Sequence, residues 1–204
     1  MSHSAVMDPS HHGVEPAESP VTPENWGKLG MWVFLAADAM SFGGLLAGYG
    51  ALRYYSHDWP NPAGTLGIAL TAFMTFLLIV SSFTMVQALS AFRRGNVARA
   101  KMFLLATAAG GAAFLGMQAY EWTHLMHEGL TLTGNPFGNP LFGTTFFVLT
   151  GFHGCHVLAG VLYLLYTTMK AGRGWGYGEI EITGLYWHFV DLIWILVFTF
   201  VYLL

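Results

Sequence analysis

Charge is scarce in this chain. Its 204 residues include eight Lys and Arg and eleven Asp and Glu, 9% of the total, against about 25% in a soluble domain. A globular water-soluble fold is excluded on that ground, and a net charge of −3 with no patterned basic patch excludes a nucleic-acid partner. Cysteine is scarcer still: Cys155 stands alone inside an apolar run, so no internal disulfide forms and the thiol is expected to be a small packing residue. Residues 1–27 contain no apolar core of signal-peptide type; with Pro9, Pro16, Pro20, Pro23 and His3, His11 and His12 they are expected to form a solvated, disordered cytoplasmic tail and not a metal site.

What the chain has in abundance is apolar residues, 54% of the total. Several runs exceed the roughly 18 residues that mark a spanning helix. The expected fold is all-α, a polytopic bundle of five transmembrane helices at about 28–52, 65–92, 101–126, 141–169 and 180–204, forming one unit over 28–204. Pro60, Asn61 and Pro62 interrupt the chain after the first helix, and Gly95-Asn96 and the glycine-rich segment 170–178 mark later connections. Trp59 has the character of an interfacial anchor. Ala37, Ser41, Gly44 and Gly48 recur at helical spacing, which predicts a close helix–helix contact on the first span. Gly110, Gly111, Ala112 and Gly116 predict a thin waist on the third.

Of the eight basic residues, Lys28, Arg93, Arg94, Arg99, Lys101, Lys170 and Arg173 fall on the side of the tail, and Arg53 alone falls on the other. The positive-inside rule then puts the N-terminus in the cytoplasm and the C-terminus outside.

Against this apolar background the ionisable residues stand out, because such groups are costly at membrane depth and are kept for a partner or a task. His188 and Asp191 lie three apart in Tyr186-Trp187-His188-Phe189-Val190-Asp191-Leu192-Ile193-Trp194 and so share a helix face. His153 and His156 do the same in the fourth helix, and Glu121 and His124 in the third. At 1.5 Å per residue, Asp38 lies about 14 Å from the inner edge, Asp191 about 12–16 Å and His188 about 8–12 Å. His153 and His156 reach a similar depth, so one shared polar cluster is expected. Glu121 and His124 lie apart, near the outer surface and within reach of water.

The residues themselves leave three readings open. Haem or metal ligation needs histidines on facing helices, and His156 with His188 could be such a pair. Against it stands internal hydrogen bonding of each imidazole to a carboxylate or carbonyl, with no metal, which the pairing of imidazoles with acids favours. A proton path through Asp38 and Asp191 is the second reading, set against a polar cluster that locks helix packing. The third is a surface that docks lipid or other helices, carried by the small-residue stripes, Arg93, Arg94, Trp59 and Trp187. A small transporter would need paired Gly/Pro breaks within its helices, and none is found.

Four segments go further. Lys28 through Phe42, Gln118-Ala119-Tyr120-Glu121-Trp122, Thr150 through Val157 and Tyr186 through Trp194 resemble, in order, the helix motifs of haem-copper oxidase subunit III, and the resemblance spans 28–204. It implies an accessory role in a multi-subunit terminal oxidase of the bacterial inner membrane that reduces oxygen to water. It also implies no catalytic residue and no haem or copper in this chain, those groups being held by partner subunits. Direct packing on subunit I is implied, with subunits II and IV and membrane phospholipid as further partners. The family role is to stabilise subunit I, support proton uptake and assist oxygen access. Asp38, Glu121, His153, His156, His188 and Asp191 are the expected functional polar groups. The chain departs from the family's long form in matching only the last five of seven helices, and in carrying Asp38 where many members have Glu, a feature that tilts the electron donor toward quinol. A stand-alone bis-His membrane cytochrome or a small transporter is the alternative.

Overall fold

The computed structural model describes residues 26–204. The expected tail over 1–27 falls outside them except for Trp26 and Gly27, which open the first helix. The order is α1 (Trp26–Tyr55), a single turn α2 (Pro62–Thr65), α3 (Ile68–Arg93), α4 (Val97–His127), α5 (Pro140–Lys170) and α6 (Tyr177–Val197), which runs on as a π-helical end, Phe198–Leu203. Five of these are long and apolar enough to cross a membrane, α6 together with its π-helical end counting as one.

Local chemistry sets the boundaries. The second span starts at Ile68, three residues later than expected, because α2 closes as a separate turn before Gly67. The third starts at Val97, four residues earlier than expected, because the Asn96 side chain accepts the Arg99 N–H at 3.0 Å and supplies an N-cap. Asn139 does the same for α5 through Leu141 N–H, at 2.9 Å, with Pro140 at the first helical position. The tight α3–α4 turn uses Gly95 at φ 75°, a conformation open to glycine.

Helices α3, α4, α5 and α6 pack in sequence, and α6 returns to α3, closing a ring of antiparallel neighbours; α1 lies outside, across α5 and α6. It runs parallel to α6. Lys28 pairs with Glu181 at 3.0 Å near one end, and the Arg53 guanidinium donates to the Leu204 carbonyl at the other. The other basic residues, at the second and fourth connections, gather at the Lys28 end.

Inside the ring, Trp187 is 1% exposed, so the interfacial position expected for it is not the one it takes. Its indole fills the space left by two glycines: a Cβ on Gly111 would lie 2.4 Å from Trp187 Cη2, and one on Gly160 2.9 Å from its ring. The thin waist of α4 is thus real at Gly111, and at Gly110, which abuts Ser81, but not at Gly116, around which there is open space. The small-residue stripe of α1 does not make the contact expected of it within this chain. Ala37, Ser41, Gly44 and Gly48 are exposed, and α1 docks through Leu35, Asp38, Phe42 and Tyr49. Cys155 is also exposed, on the outward face of α5, and not packed inside.

Candidate functional site

The ionisable residues of the spans form three separate groups rather than one cluster, because Asp38 turns to α5, Asp191 to α3, and Glu121 to α3 and the π-helical end. The first group joins α1 to α5. Asp38 sits twelve residues into α1, about 18 Å along the helix, and its Oδ1 lies 3.2 Å from His156 Nε2. His156 Nδ1 is 2.8 Å from the Phe152 carbonyl. A carbonyl can only accept, so Nδ1 carries a hydrogen. The Nε2–Oδ1 contact then needs one proton between the two atoms, on the acid or on the ring. Asp38 and His156 thus tie α1 to α5 through that contact. Phe42 and Phe152 wall it, at ring-centroid distances of 5.3 and 4.7 Å from His156.

The second group joins α6 to α3. Ser82 Oγ donates to Asp191 Oδ2 at 2.8 Å and stands 3.1 Å from His188 Nδ1. The Asp191 residue is 7% exposed, whereas His188 is exposed at the groove between α1 and α6. His188 thus meets a hydroxyl, not the carboxylate or carbonyl expected for it.

The third group lies toward the opposite end from Lys28. Glu121 accepts from Thr71 Oγ1 and from Tyr202 O–H, each at 3.0 Å, which ties α4 to α3 and to the π-helical end. The residue is 4% exposed, so it is not the solvated surface acid expected. Two short donors fold over it, while His124, one turn on, is exposed and 3.6 Å from Glu128.

His153 belongs to none of these. It is fully buried, with Phe114 and Trp194 at 5.7 and 4.9 Å and Phe42 at 6.4 Å between ring centroids. Neither ring nitrogen has a hydrogen-bond partner among the described residues, contrary to the partner expected for it. Trp59 is half-buried between Tyr49 and Phe142, at 5.5 and 5.6 Å. Arg93 lies 4.5 Å above the Tyr177 ring, and Arg94 is exposed beside it.

The partners of Glu121 and Asp191 escaped the sequence reading. Thr71, Ser82 and Tyr202 are ordinary residues of apolar spans, and most hydroxyls of α3 bond a carbonyl of their own helix, as Thr71 does with Gly67 O. A signal exists in hindsight: Thr71, Thr75 and Ser82 lie on one stripe of α3, and the four- and seven-residue steps between them turn that stripe toward α4 and α6. Thr75 accepts from Trp194 Nε1 at 3.0 Å, and Ser81, beside the stripe, from Trp187 Nε1 at 3.1 Å. Gln118 likewise joins α4 to α5 through the Thr150 carbonyl, at 2.8 Å.

Chemically, the three acids Asp38, Glu121 and Asp191 tie neighbouring spans together through imidazole and hydroxyl groups. Among the described residues no three or more His, Cys, Asp or Glu converge in a metal-binding arrangement. His156 and His188, the candidate haem pair, are each directed at a different partner on a different helix.

The family profile for cytochrome c oxidase subunit III matches residues 24–204. The cytochrome c oxidase subunit 3 of Thermostichus vulcanus is 38% identical over 181 residues, covering 86% of each chain. The quinol oxidase subunit 3 of Bacillus spizizenii is 36% identical over 180 residues, again 86% of each. The cytochrome c oxidase subunit 3 of Bacillus subtilis is 34% identical over 190 residues, 90% of this chain and 89% of its own. Five apolar spans in one bundle, the motif order and these matches agree, and the chain belongs to the cytochrome c oxidase subunit III family.

Proposed function

We propose that this chain is the accessory, non-catalytic subunit III of a proton-pumping haem-copper terminal oxidase in a bacterial cytoplasmic membrane. It packs on subunit I, beside subunits II and IV and bound phospholipid. It stabilises the catalytic subunit and supports proton uptake and oxygen access, while haems and copper are held by its partners. The N-terminus faces the cytoplasm and the C-terminus the outside. The single observation that carries this reading is the Asp38–His156 pair, an acid and an imidazole held 3.2 Å apart in mid-span. It commits the best-placed histidine of the bundle to a carboxyl, and a one-proton unit at that depth suits proton handling better than iron ligation. The bis-histidine cytochrome would need that imidazole free.

Two experiments bear on it. Chains that co-purify with this one in mild detergent are expected to include a haem-bearing subunit I; purification of the chain alone, with a Soret band of its own, would overturn the reading. Asp38→Ala in the assembled oxidase is expected to leave the haem spectra intact and to shorten catalytic lifetime or slow proton uptake. Normal lifetime and uptake in that variant would reduce the carboxyl to a packing group.

A further inference from the structure

Asp191 is a carboxyl that the helix-locking role leaves half explained. It is 93% buried by its 7% exposure, and its Oδ1 has no hydrogen-bond partner among the described residues. All of its hydrogen bonding runs through Ser82 Oγ, and that same oxygen meets His188 Nδ1. One hydroxyl, both donor and acceptor, thus stands between a buried acid and an exposed ring. The ring borders a groove of about 370 Å³ between α1 and α6, lined also by Trp32, Leu35, Ala36, Ala39 and Phe189.

We propose that His188, Ser82 and Asp191 form a proton relay, in which the groove-facing imidazole loads and unloads the buried carboxyl through the serine hydroxyl. The step balances. Starting from imidazolium and carboxylate, the Nδ1 proton passes to Ser82 Oγ while the hydroxyl proton leaves for Asp191 Oδ2. The ring keeps its Nε2 hydrogen and becomes neutral imidazole, and the carboxylate becomes a neutral acid. Net charge is zero before and after, and one proton has moved from the exposed ring to the buried carboxyl. The reverse order of events returns it. Both links, 2.8 and 3.1 Å, lie within hydrogen-bond reach, so no side chain must travel for the transfer.

The groups around the relay leave it to itself. Helix α6 packs on α1, α3 and α5. On α3 there is no Asp, Glu, His, Lys or Arg before Arg93 at its end. On α1 the mid-span acid is Asp38, engaged with His156 of α5. His153 of α5 is enclosed by Phe114 and Trp194. The relay deepens the accessory-subunit reading and rests on it for the complex in which it works.

The test uses the intact oxidase complex and the infrared carboxyl band of Asp191, identified by its loss in Asp191→Asn. The relay predicts that this band appears and disappears with pH and that its hydrogen–deuterium exchange passes through Ser82. Ser82→Ala and His188→Gln are each expected to slow exchange by on the order of tenfold or more. Ser82→Thr, which keeps the hydroxyl, is expected to restore it. A purely structural serine would change stability and leave the exchange rate alone. Unchanged exchange in Ser82→Ala or His188→Gln, or an Asp191 carboxyl that takes up no proton at any pH the complex survives, would overturn the relay. Neither result touches the accessory-subunit reading, which stands or falls on co-purification with subunit I.

Discussion

At the scale of single residues, the molecule is held by small groups placed where large ones need room. Trp187 is the clearest case, with its indole set between Gly111 and Gly160 and its N–H on Ser81. Gly160→Val should therefore overpack the site and cost about 1–3 kcal/mol, read as a lower melting temperature of the solubilised complex; an unchanged melting temperature would mean that Trp187 is not seated there. Glu121 offers a second check. Thr71→Val removes one of its two donors and strands a buried oxygen, at a cost of about 1–3 kcal/mol, whereas Thr71→Ser keeps the donor and should sit close to the parent. Equal stability of the two variants would show that the Thr71 hydroxyl carries no bond to Glu121.

At the scale of elements, α1 differs from the rest. Only 17% of its most apolar stretch is buried, against 50% for the last span. Of the polar links that secure it to the ring, two join side chain to side chain, and they are unequal. Lys28–Glu181 is exposed, with side chains 44% and 34% accessible, and such pairs contribute roughly 0–1 kcal/mol. Asp38–His156 is largely enclosed, with 9% and 15% accessible. Removing one member of an enclosed pair is the costlier change, about 3–5 kcal/mol where burial is complete. Hydrogen–deuterium exchange of the α1 backbone between Leu35 and Tyr49 should accordingly rise in His156→Leu and stay near the parent in Lys28→Ala. The opposite order would place the anchor of α1 at the surface pair.

This unevenness also shows what the sequence could disclose. The five spans were legible because uninterrupted apolar length is a one-dimensional property, and their ends shifted by a few residues where a cap such as Asn96 or a separate turn such as α2 intervened. The acids and imidazoles were legible because lipid makes each of them conspicuous. Which face of a span meets the bundle was not. In a soluble helix an apolar stripe marks the core, but here every face is apolar, so Trp187 could be mistaken for an interfacial residue and the outward stripe Ala37, Ser41, Gly44 and Gly48 for a contact within the chain. Nor could depth alone pair the acids. Asp38 and Asp191 share a level, yet the bundle turns them to different neighbours, α5 and α3.

At the scale of the whole molecule, seven of the eight basic residues lie toward one end, with Arg53 at the other. In sealed cells with Cys155→Ser as background, a membrane-impermeant thiol reagent should label His57→Cys from outside and leave Arg173→Cys untouched until the membrane is opened. The reverse pattern would invert the proposed orientation. The account as a whole claims that the buried acids of this chain are bound by imidazole and hydroxyl groups of its own spans, and that the metals of the oxidase belong to other subunits. The most direct test is to quantify haem and copper per subunit I in the oxidase with this chain present and after its removal. The account predicts equal haem and copper in the two preparations; a stoichiometric loss of iron or copper with the departing chain would contradict it.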